Sequence, residues 1–484
     1  MEGRKNTKCK VRIIFMFLMF LAISTTFLPF RSFGGDMEIL VDKLVEKGIL
    51  TKPDAETILR EMKETKEMEK GKTEVQKAKT ETEPTKPEEK KVESQEWVKN
   101  LPDWIKNPPD WIKNFKLSGD LRLRYEYNHR DSTTNDDHER ERGRFRWRLG
   151  VDTKIVDDVT VGFGLTSGSL SSASTTYGTV GDPRSTEQTF DSSFSKKPLA
   201  INYAFAQYKP LQWLSLLGGK LRTNPIFRAN SLGAWPSELV WDNDITPEGA
   251  AVVLNYPGLL NLDIANLDVF MNNTFFLLDE NNPSGSGREP YMVVIQPGFN
   301  LKIMKDINLK AALAKYLFFG IKNKTQLKFS ANSNTLVGGS YKFDYDTWIG
   351  TAEVGYKNPF HQDIVPYVGL FGEYVYNPDP DTDKKAYIAG IRVGYPSINK
   401  FGDWQLSYTY RRLEKDSVLD ILPDSTFYGG ATNAKGHKAS VYFGLAKNLL
   451  CDLNYFHSVN ILENSTAPQK RPEDVLQVDI QFNF

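Results

Sequence analysis

From Lys116 to Phe484 polar and apolar side chains alternate in short runs with a period of two. In ERGRFRWRLGVDTK, Glu141 to Lys154, the residues Arg142, Arg144, Arg146 and Arg148 fall on one side of an extended chain, and Phe145, Trp147, Leu149 and Val151 on the other. Leu117, Gly119, Leu121, Leu123 and Tyr125 alternate in the same way with Ser118, Asp120, Arg122, Arg124 and Glu126. So do Tyr387, Ala389, Ile391 and Val393, and again Trp404, Leu406, Tyr408 and Tyr410, with their neighbours. A helix would scatter these residues around its axis, so the pattern predicts strands. Sixteen are predicted: 116–128, 141–154, 158–168, 199–209, 213–222, 248–256, 262–277, 291–302, 306–319, 341–357, 364–376, 385–395, 402–414, 436–446, 449–457 and 473–484. Alternation is poor in 262–277 and 364–376, which leaves eighteen as the other count.

The connections sort by side. Those after odd-numbered strands are mostly long, as in 169–198, 223–247, 320–340 and 415–435; those after even-numbered strands are tight, as in Ile155 to Asp157, Pro210 to Gln212 and Lys447 to Asn448. Long loops at one end and tight turns at the other characterise outer-membrane barrels, and a stacked sandwich has no reason to sort its loops. The predicted fold is therefore an all-β transmembrane barrel. Its apolar rows face lipid and its charged rows face a wet lumen, because an arginine turned to lipid costs roughly 2–4 kcal/mol near the midplane. Guanidinium groups spaced about 7 Å apart repel by only about 0.6 kcal/mol in water and about four times that at an effective dielectric of 20. A row of four arginines thus suits water or matching carboxylates and not a dry core.

Ahead of the barrel the pattern changes four times. Arg4, Lys5, Lys8, Lys10 and Arg12 precede an apolar run from Ile13 to Phe30, which reads as a secretory signal peptide over residues 1–34, with a membrane anchor as the competing reading. Residues 35–66 take a helical period: Ile39, Leu40, Leu44 and Val45 form one stripe, Gly48 ends it, and Ile58, Leu59 and Met62 follow Pro53, predicting a periplasmic helical hairpin. Residues 67–96 are Lys, Glu, Thr and Pro with too few apolar groups to build a core, a charged low-complexity linker. Residues 97–115 repeat WVKN, WIKN and WIKN at a spacing of seven, with prolines that forbid a continuous coiled coil and tryptophans that suit a membrane interface. Residues 36–96 read either as a spacer or as an oligomerisation or peptidoglycan contact.

Composition removes other classes. Sixty-one basic and 61 acidic residues cancel, which argues against a dedicated nucleic-acid binder. Two cysteines, Cys9 and Cys451, give no disulfide framework. His138-Glu139 does not complete HExxH, no GxSxG elbow occurs, and Gly71-Lys72-Thr73 lacks the upstream glycine of a phosphate loop. Neither an enzyme, nor a cofactor, nor a metal site is expected.

The last strand places Leu476, Val478, Ile480, Phe482 and Phe484 on one face; an alternating strand closed by a terminal Phe resembles the signal read by the barrel-assembly machinery. SGDLRLRYEY at Ser118, the arginine run ending at Val151, GFGLTSG at Gly162, DPRSTEQTF at Asp182, GGKLRTNP at Gly218 and LVWDNDITPEG at Leu239 together resemble the bacterial putative-porin family, distantly like the phosphate-selective porins. The resemblance implies an outer-membrane channel of a Gram-negative-type envelope and leaves the solute open.

The expected function is passive diffusion of small hydrophilic solutes or ions through an arginine-lined lumen, with modest anion preference. The pore-lining basic residues are Arg122, Arg124, Arg142, Arg144, Arg146, Arg148, Lys220 and Arg222. Connection 223–247 is long enough to fold into the lumen, bringing Glu238, Asp242 and Asp244, with Glu248 just after, to face the basic wall across a constriction. In the competing reading the arginines pair with carboxylates such as Asp120 and Glu126 and stiffen the wall. A third is a structural barrel anchoring the envelope through its N-terminal segment. Expected partners are outer-membrane lipid, the assembly machinery at Phe484 and small solutes or anions; a homotrimer is common for channels of this strand number.

Overall fold

The computed structural model describes residues 114–131, 138–168, 182–190, 192–194, 196–222, 238–280, 289–360, 364–462 and 471–484. The chain divides into units 1–100 and 101–484, and every described residue belongs to the second. The predicted signal peptide, helical hairpin and linker, and residues 97–113 of the Trp/Pro repeat, lie outside the described residues.

Sixteen long antiparallel strands form one closed sheet: β1 Lys116–Arg130, β2 His138–Val156, β3 Val159–Ser167, β4 Leu199–Leu211, β5 Leu214–Lys220, β6 Glu248–Leu262, β7 Ala265–Leu277, β8 Tyr291–Ile303, β9 Ile307–Phe319, β10 Trp348–Lys357, β11 Tyr367–Tyr376, β12 Lys385–Gly394, β13 Trp404–Leu413, β14 Ala434–Ala446, β15 Leu449–Asn460 and β16 Glu473–Asn483. Each pairs with its sequence neighbour, and β1 closes on β16 in a register running from Asp120 opposite Asn483 to Arg130 opposite Glu473. Closure leaves no open sheet edge, the condition for strands to lie in lipid. A two-residue strand, Gln188–Thr189, adds to β2 from the connection after β3. Gly119 is needed at the seam: a Cβ there would lie 2.6 Å from the Phe484 ring, which crosses β1 where the two backbones exchange hydrogen bonds of 2.8 and 3.0 Å.

The tight turns all lie at one end. In the Lys447-Asn448 turn Asn448 takes φ 63°, a left-handed conformation that asparagine tolerates better than most residues. The outward rows are apolar, with Phe163, Leu370, Leu406 and Phe482 exposed around the wall. No described helix is long and apolar enough to cross a membrane; the strands do the crossing.

The inward face has two zones on β7 to β13. Near the tight-turn end it is polar, with Asp268, Asn300, Lys310, Glu353 and Arg392. Near the long-loop end it is apolar: Phe276, Met292, Val294, Tyr316, Phe318, Ile349, Val375, Ile388 and Leu413 are buried against Trp241, Ile321, Tyr341, Tyr345, Val418, Leu419 and Leu422 from long connections that fold inside. Burying each such side chain contributes about 1.5–3 kcal/mol. Wall strands that are apolar on both faces lose their alternation, as in FFLL at Phe275 and YMVVI at Tyr291. That is why 262–277 is hard to read from sequence. The predicted strand 341–357 begins only at Trp348, because Tyr341 and Tyr345 belong to this internal core.

Candidate functional site: the arginine wall and the loops folded against it

The β1–β2 hairpin sets the geometry. Register places Asp120 opposite Arg148, Arg122 opposite Arg146, Arg124 opposite Arg144 and Glu126 opposite Arg142, all inward. The two ends of this ladder pair opposite charges, while its middle sets arginine against arginine. Like charges directly across a strand pair are destabilising. The middle is matched from outside the hairpin: Arg124 binds Asp479 of β16 through two hydrogen bonds of 2.7 and 2.6 Å, and Arg122 binds Glu187, its Nε donating at 2.6 Å. Within the hairpin, Arg146 and Arg148 reach Asp120 at 2.7 and 2.6 Å, and Arg144 reaches Glu126 at 3.1 Å while Arg142 pairs with the same carboxylate. Gln477 Nε2 also donates to Glu126, at 2.9 Å.

Glu187 comes from the DPRSTEQTF stretch, whose Asp182–Phe190 part runs along the ladder. Ser185 Oγ accepts from Arg144 at 3.2 Å, and Thr186 donates through N and Oγ1 to Asp244 at 3.2 and 3.1 Å. Arg184, 5% exposed, donates to the carbonyls of Asp420, Phe329 and Gly430 at 3.1–3.3 Å, joining two further inward segments. Asp420 in turn accepts from Ser330 Oγ at 2.7 Å and Ser333 N at 2.8 Å, and Asp416 accepts from Tyr345 at 3.0 Å. Burial, then Asp416, pushes the Tyr345 phenol well up; burial and Asp420 push Tyr341 up to about 12.

The four acidic residues expected to face the wall are distributed differently. Asp244 alone touches it, 3.7 Å from Arg148. Burial would raise its carboxyl, but Arg146, Arg148 and Arg122 hold it below the usual carboxylate range. Asp242 turns away and accepts backbone N–H groups of Asp244 and Ser425 at 2.9 and 2.8 Å. Burial, with Asp244 and Asp424 close by, lifts Asp242 well above the ordinary value. Glu238 pairs with Lys438 at 2.6 Å and Arg411 at 3.5 Å, on β14 and β13. Segment 238–247 therefore links walls instead of facing one across open space, and Trp241, 1% exposed, pins it against Phe276.

Two expectations are corrected. Lys220 and Glu248 lie on the outer face at the long-loop end, because their cross-strand neighbour Ala204 faces outward; they pair with each other at 3.2 Å. The period predicted an inward Lys220, but Leu217 and Gly219 hold the inward register on β5. Arg222, just past β5, does reach the inner face: it binds Asp152 at 2.9 Å and covers the Tyr203 ring at 4.6 Å.

A cavity of about 340 Å³ lies between the ladder and segment 238–247, lined by Asp120, Arg148, Tyr203, Arg222, Asn243 and Asp244. Another of about 310 Å³ opens near the long-loop end among Asn128, Arg130, His138, Arg140, Arg142 and Glu473. Sequence reasoning missed Glu187, Arg184, Asp479, Arg411 and Lys438. Asp479 was legible as the polar face of the last strand; the others depend on how loops fold.

A closed sixteen-stranded barrel with apolar outer rows, an inner charged ladder and inward-folded long loops defines a porin-type outer-membrane channel rather than an enzyme. The chain belongs to the family described as "Putative porin", whose sequence model matches residues 127–346 and 357–484. Among solved structures it is similar to OprB of Pseudomonas putida in its high-pH form, at 12% identity and a TM-score of 0.48 over 80% of this chain and 97% of that one. It is also similar to a triple mutant of the Rhodopseudomonas blastica porin, at 14% identity and a TM-score of 0.36 over 76% of this chain and all of that one. No curated protein matches the sequence.

Proposed function

We propose that the barrel passes small hydrophilic solutes and ions by diffusion along the arginine wall, with its tight-turn end and both barrel termini in the periplasm. The observation that carries this reading is the division of each strand of the β1–β2 hairpin into an outward apolar row and an inward charged row. The apolar core fills the long-loop end inside β7 to β13, and the charged ladder lines the side of β1, β2 and β16. Six guanidinium groups there meet Asp120, Glu126, Glu187, Asp479 and Asp244. Charge so nearly matched favours anions only modestly and orders dipolar solutes across the path.

Reversal potentials in a planar bilayer under a salt gradient test this. Wild type is expected to prefer anions weakly, and Arg144→Gln with Arg146→Gln to shift the preference toward cations; an unmoved reversal potential removes the arginines from the path. The apolar core is also the observation that favours the second reading, a solute-closed barrel anchoring the envelope. Liposome swelling with small sugars separates the two, since a folded but impermeable barrel supports the anchor. Assembly through the Phe484 strand, a homotrimer and a peptidoglycan contact by residues 36–96 belong to the same proposal. Gel filtration of a chain lacking 36–96 tests whether that segment sets the oligomeric state.

A further inference from the structure

On the outer face at the long-loop end, three neighbouring strands finish their apolar rows on cations. Arg412 of β13 lies directly opposite Lys435 of β14; on its other side it faces Tyr387 of β12, two residues along that strand from Lys385. All three cations point outward, since their chain neighbours Ala386, Arg411, Leu413, Ala434 and Gly436 are buried on the inner side. The outward row of β13 reads Trp404, Leu406, Tyr408, Tyr410, Arg412. Transmembrane barrels carry an aromatic girdle at each interface, so Arg412 stands one step beyond the tyrosines, at the level of lipid headgroups.

Directly opposed residues carry their Cβ atoms about 4.5–5.5 Å apart, and like charges placed so are destabilising. In the lumen ladder the opposed arginines are matched by carboxylates from other elements. The outer pair has little such help. Glu414 reaches Arg412 at 3.3 Å, and its other oxygen accepts the backbone N–H of Lys385 at 2.9 Å. Among the described residues no carboxylate lies within ion-pair distance of the Lys385 or Lys435 ammonium. Asp474, two strands on from Lys435, is engaged by His457 at 2.9 Å and by the Tyr455 hydroxyl at 2.6 Å. Three cations thus share one carboxylate. Farther round the same rim the sign reverses, with Glu139, Glu141 and Asp474 pointing outward.

We propose that this patch binds a lipid with an anionic, phosphate-bearing head in the leaflet at the long-loop end. Arg412 and Lys435 take the phosphate, Lys385 adds its charge beside them, and the acyl chains run down the outer wall over Ile391, Leu406 and Val441. Guanidinium groups bind phosphate through paired N–H donors and ammonium groups bind it as a point charge. The phosphate supplies the counter-charge that the protein withholds from this like-charged pair. Tyr387 and Tyr410, 6.1 Å apart between ring centroids, form the step between head and chains. The proposal needs only that the outward rows face lipid and is independent of what the lumen passes.

Thermal unfolding of the full chain in a nonionic detergent, with dipalmitoyl phosphatidic acid or dipalmitoyl phosphatidylcholine added at equal concentration, tests this. Phosphatidic acid should raise the wild-type midpoint, because a ligand of the folded state stabilises it, and phosphatidylcholine, whose choline cancels the charge, should not. Titrating that rise gives the affinity. Arg412→Gln with Lys435→Gln should weaken it about 25-fold, at about fivefold per charge removed, and Lys435→Gln alone, about fivefold, stands in if the double variant fails to fold. Glu414→Gln should tighten binding, and Lys220→Gln, which removes a cation elsewhere on the outer face, should leave it unchanged. Heat-modifiable gel mobility confirms that each variant is folded. Equal rises with the two lipids, undiminished affinity without Arg412 and Lys435, or an equal loss in Lys220→Gln would each overturn the site; the same rise with inorganic phosphate would overturn a lipid as its occupant.

Discussion

At the scale of single residues, the lumen wall is a problem of matching charges. Asp120 is 6% exposed and accepts from Arg146 and Arg148 through separate oxygens, so Asp120→Asn turns an amide NH2 toward one of these guanidinium groups and removes the shared negative charge. Leaving that guanidinium unmatched costs about 1–3 kcal/mol, which urea unfolding of the variant should register. The same change removes one negative charge from the path and should move the reversal potential further toward anions. Asp244 and Asp242 respond to pH with opposite signs. The folded pKa of Asp244 is depressed by Arg146, Arg148 and Arg122 against burial, so its stabilisation is present above the unfolded carboxylate value and lost as pH falls through the folded one. Asp242 is raised by burial first, so its ionisation weakens the fold as pH rises from the unfolded value through the folded one. Asp244→Asn should therefore flatten the acid side of the stability curve, and Asp242→Asn the loss on the other side. Fluorescence of buried Trp241 during denaturant titrations at a series of pH values checks both.

At the scale of elements, the inward segments act as one interlocked body, because Arg184, Asp416 and Asp420 tie three connections together and Trp241 anchors a fourth segment. Truncating a fully buried aromatic costs roughly 3–5 kcal/mol. Trp241→Ala should free segment 238–247 from the wall and raise single-channel conductance in a planar bilayer, while far-UV circular dichroism of the barrel stays unchanged. Unaltered conductance would mean that this segment does not border the path. The strands themselves were largely readable. Tyr387, Ala389 and Ile391 of β12, and Leu406 and Tyr408 of β13, face outward as their alternation predicts. Where an inward core makes both faces apolar, as in β7 to β9, the alternation signal vanishes and length and turns must locate the strand.

At the scale of the whole molecule, the barrel holds because outward rows meet lipid while inward rows meet either water and counter-charges or the folded loops. Leu406, 47% exposed on the outer face, tests the first condition. Leu406→Arg should destabilise the barrel by roughly 2–4 kcal/mol if it lies near the midplane, measured by folding into lipid vesicles, and a cost near zero would place that surface in water.

Side-chain alternation is a local property, so the sequence alone determined that an all-β barrel of sixteen or eighteen strands exists, which face is apolar in the clearly alternating strands such as β1, β2, β12 and β13, and that long and short connections sort to opposite ends. The arginines of the first hairpin were legible for the same reason. Pairing with Asp120 and Glu126 was legible from the same hairpin, but that Glu187, Asp479 and Asp244 complete the matching was decided only by tertiary structure, because they reach the ladder from positions far along the chain. So was the outward turn of Lys220 and Glu248, since pairing of Leu217 and Gly219 with Gln207 and Phe205 sets the inward register of β5 and leaves Lys220 on the other face. Charge pairing inside a barrel depends on closure and loop folding, and neither leaves a periodic trace in the residues.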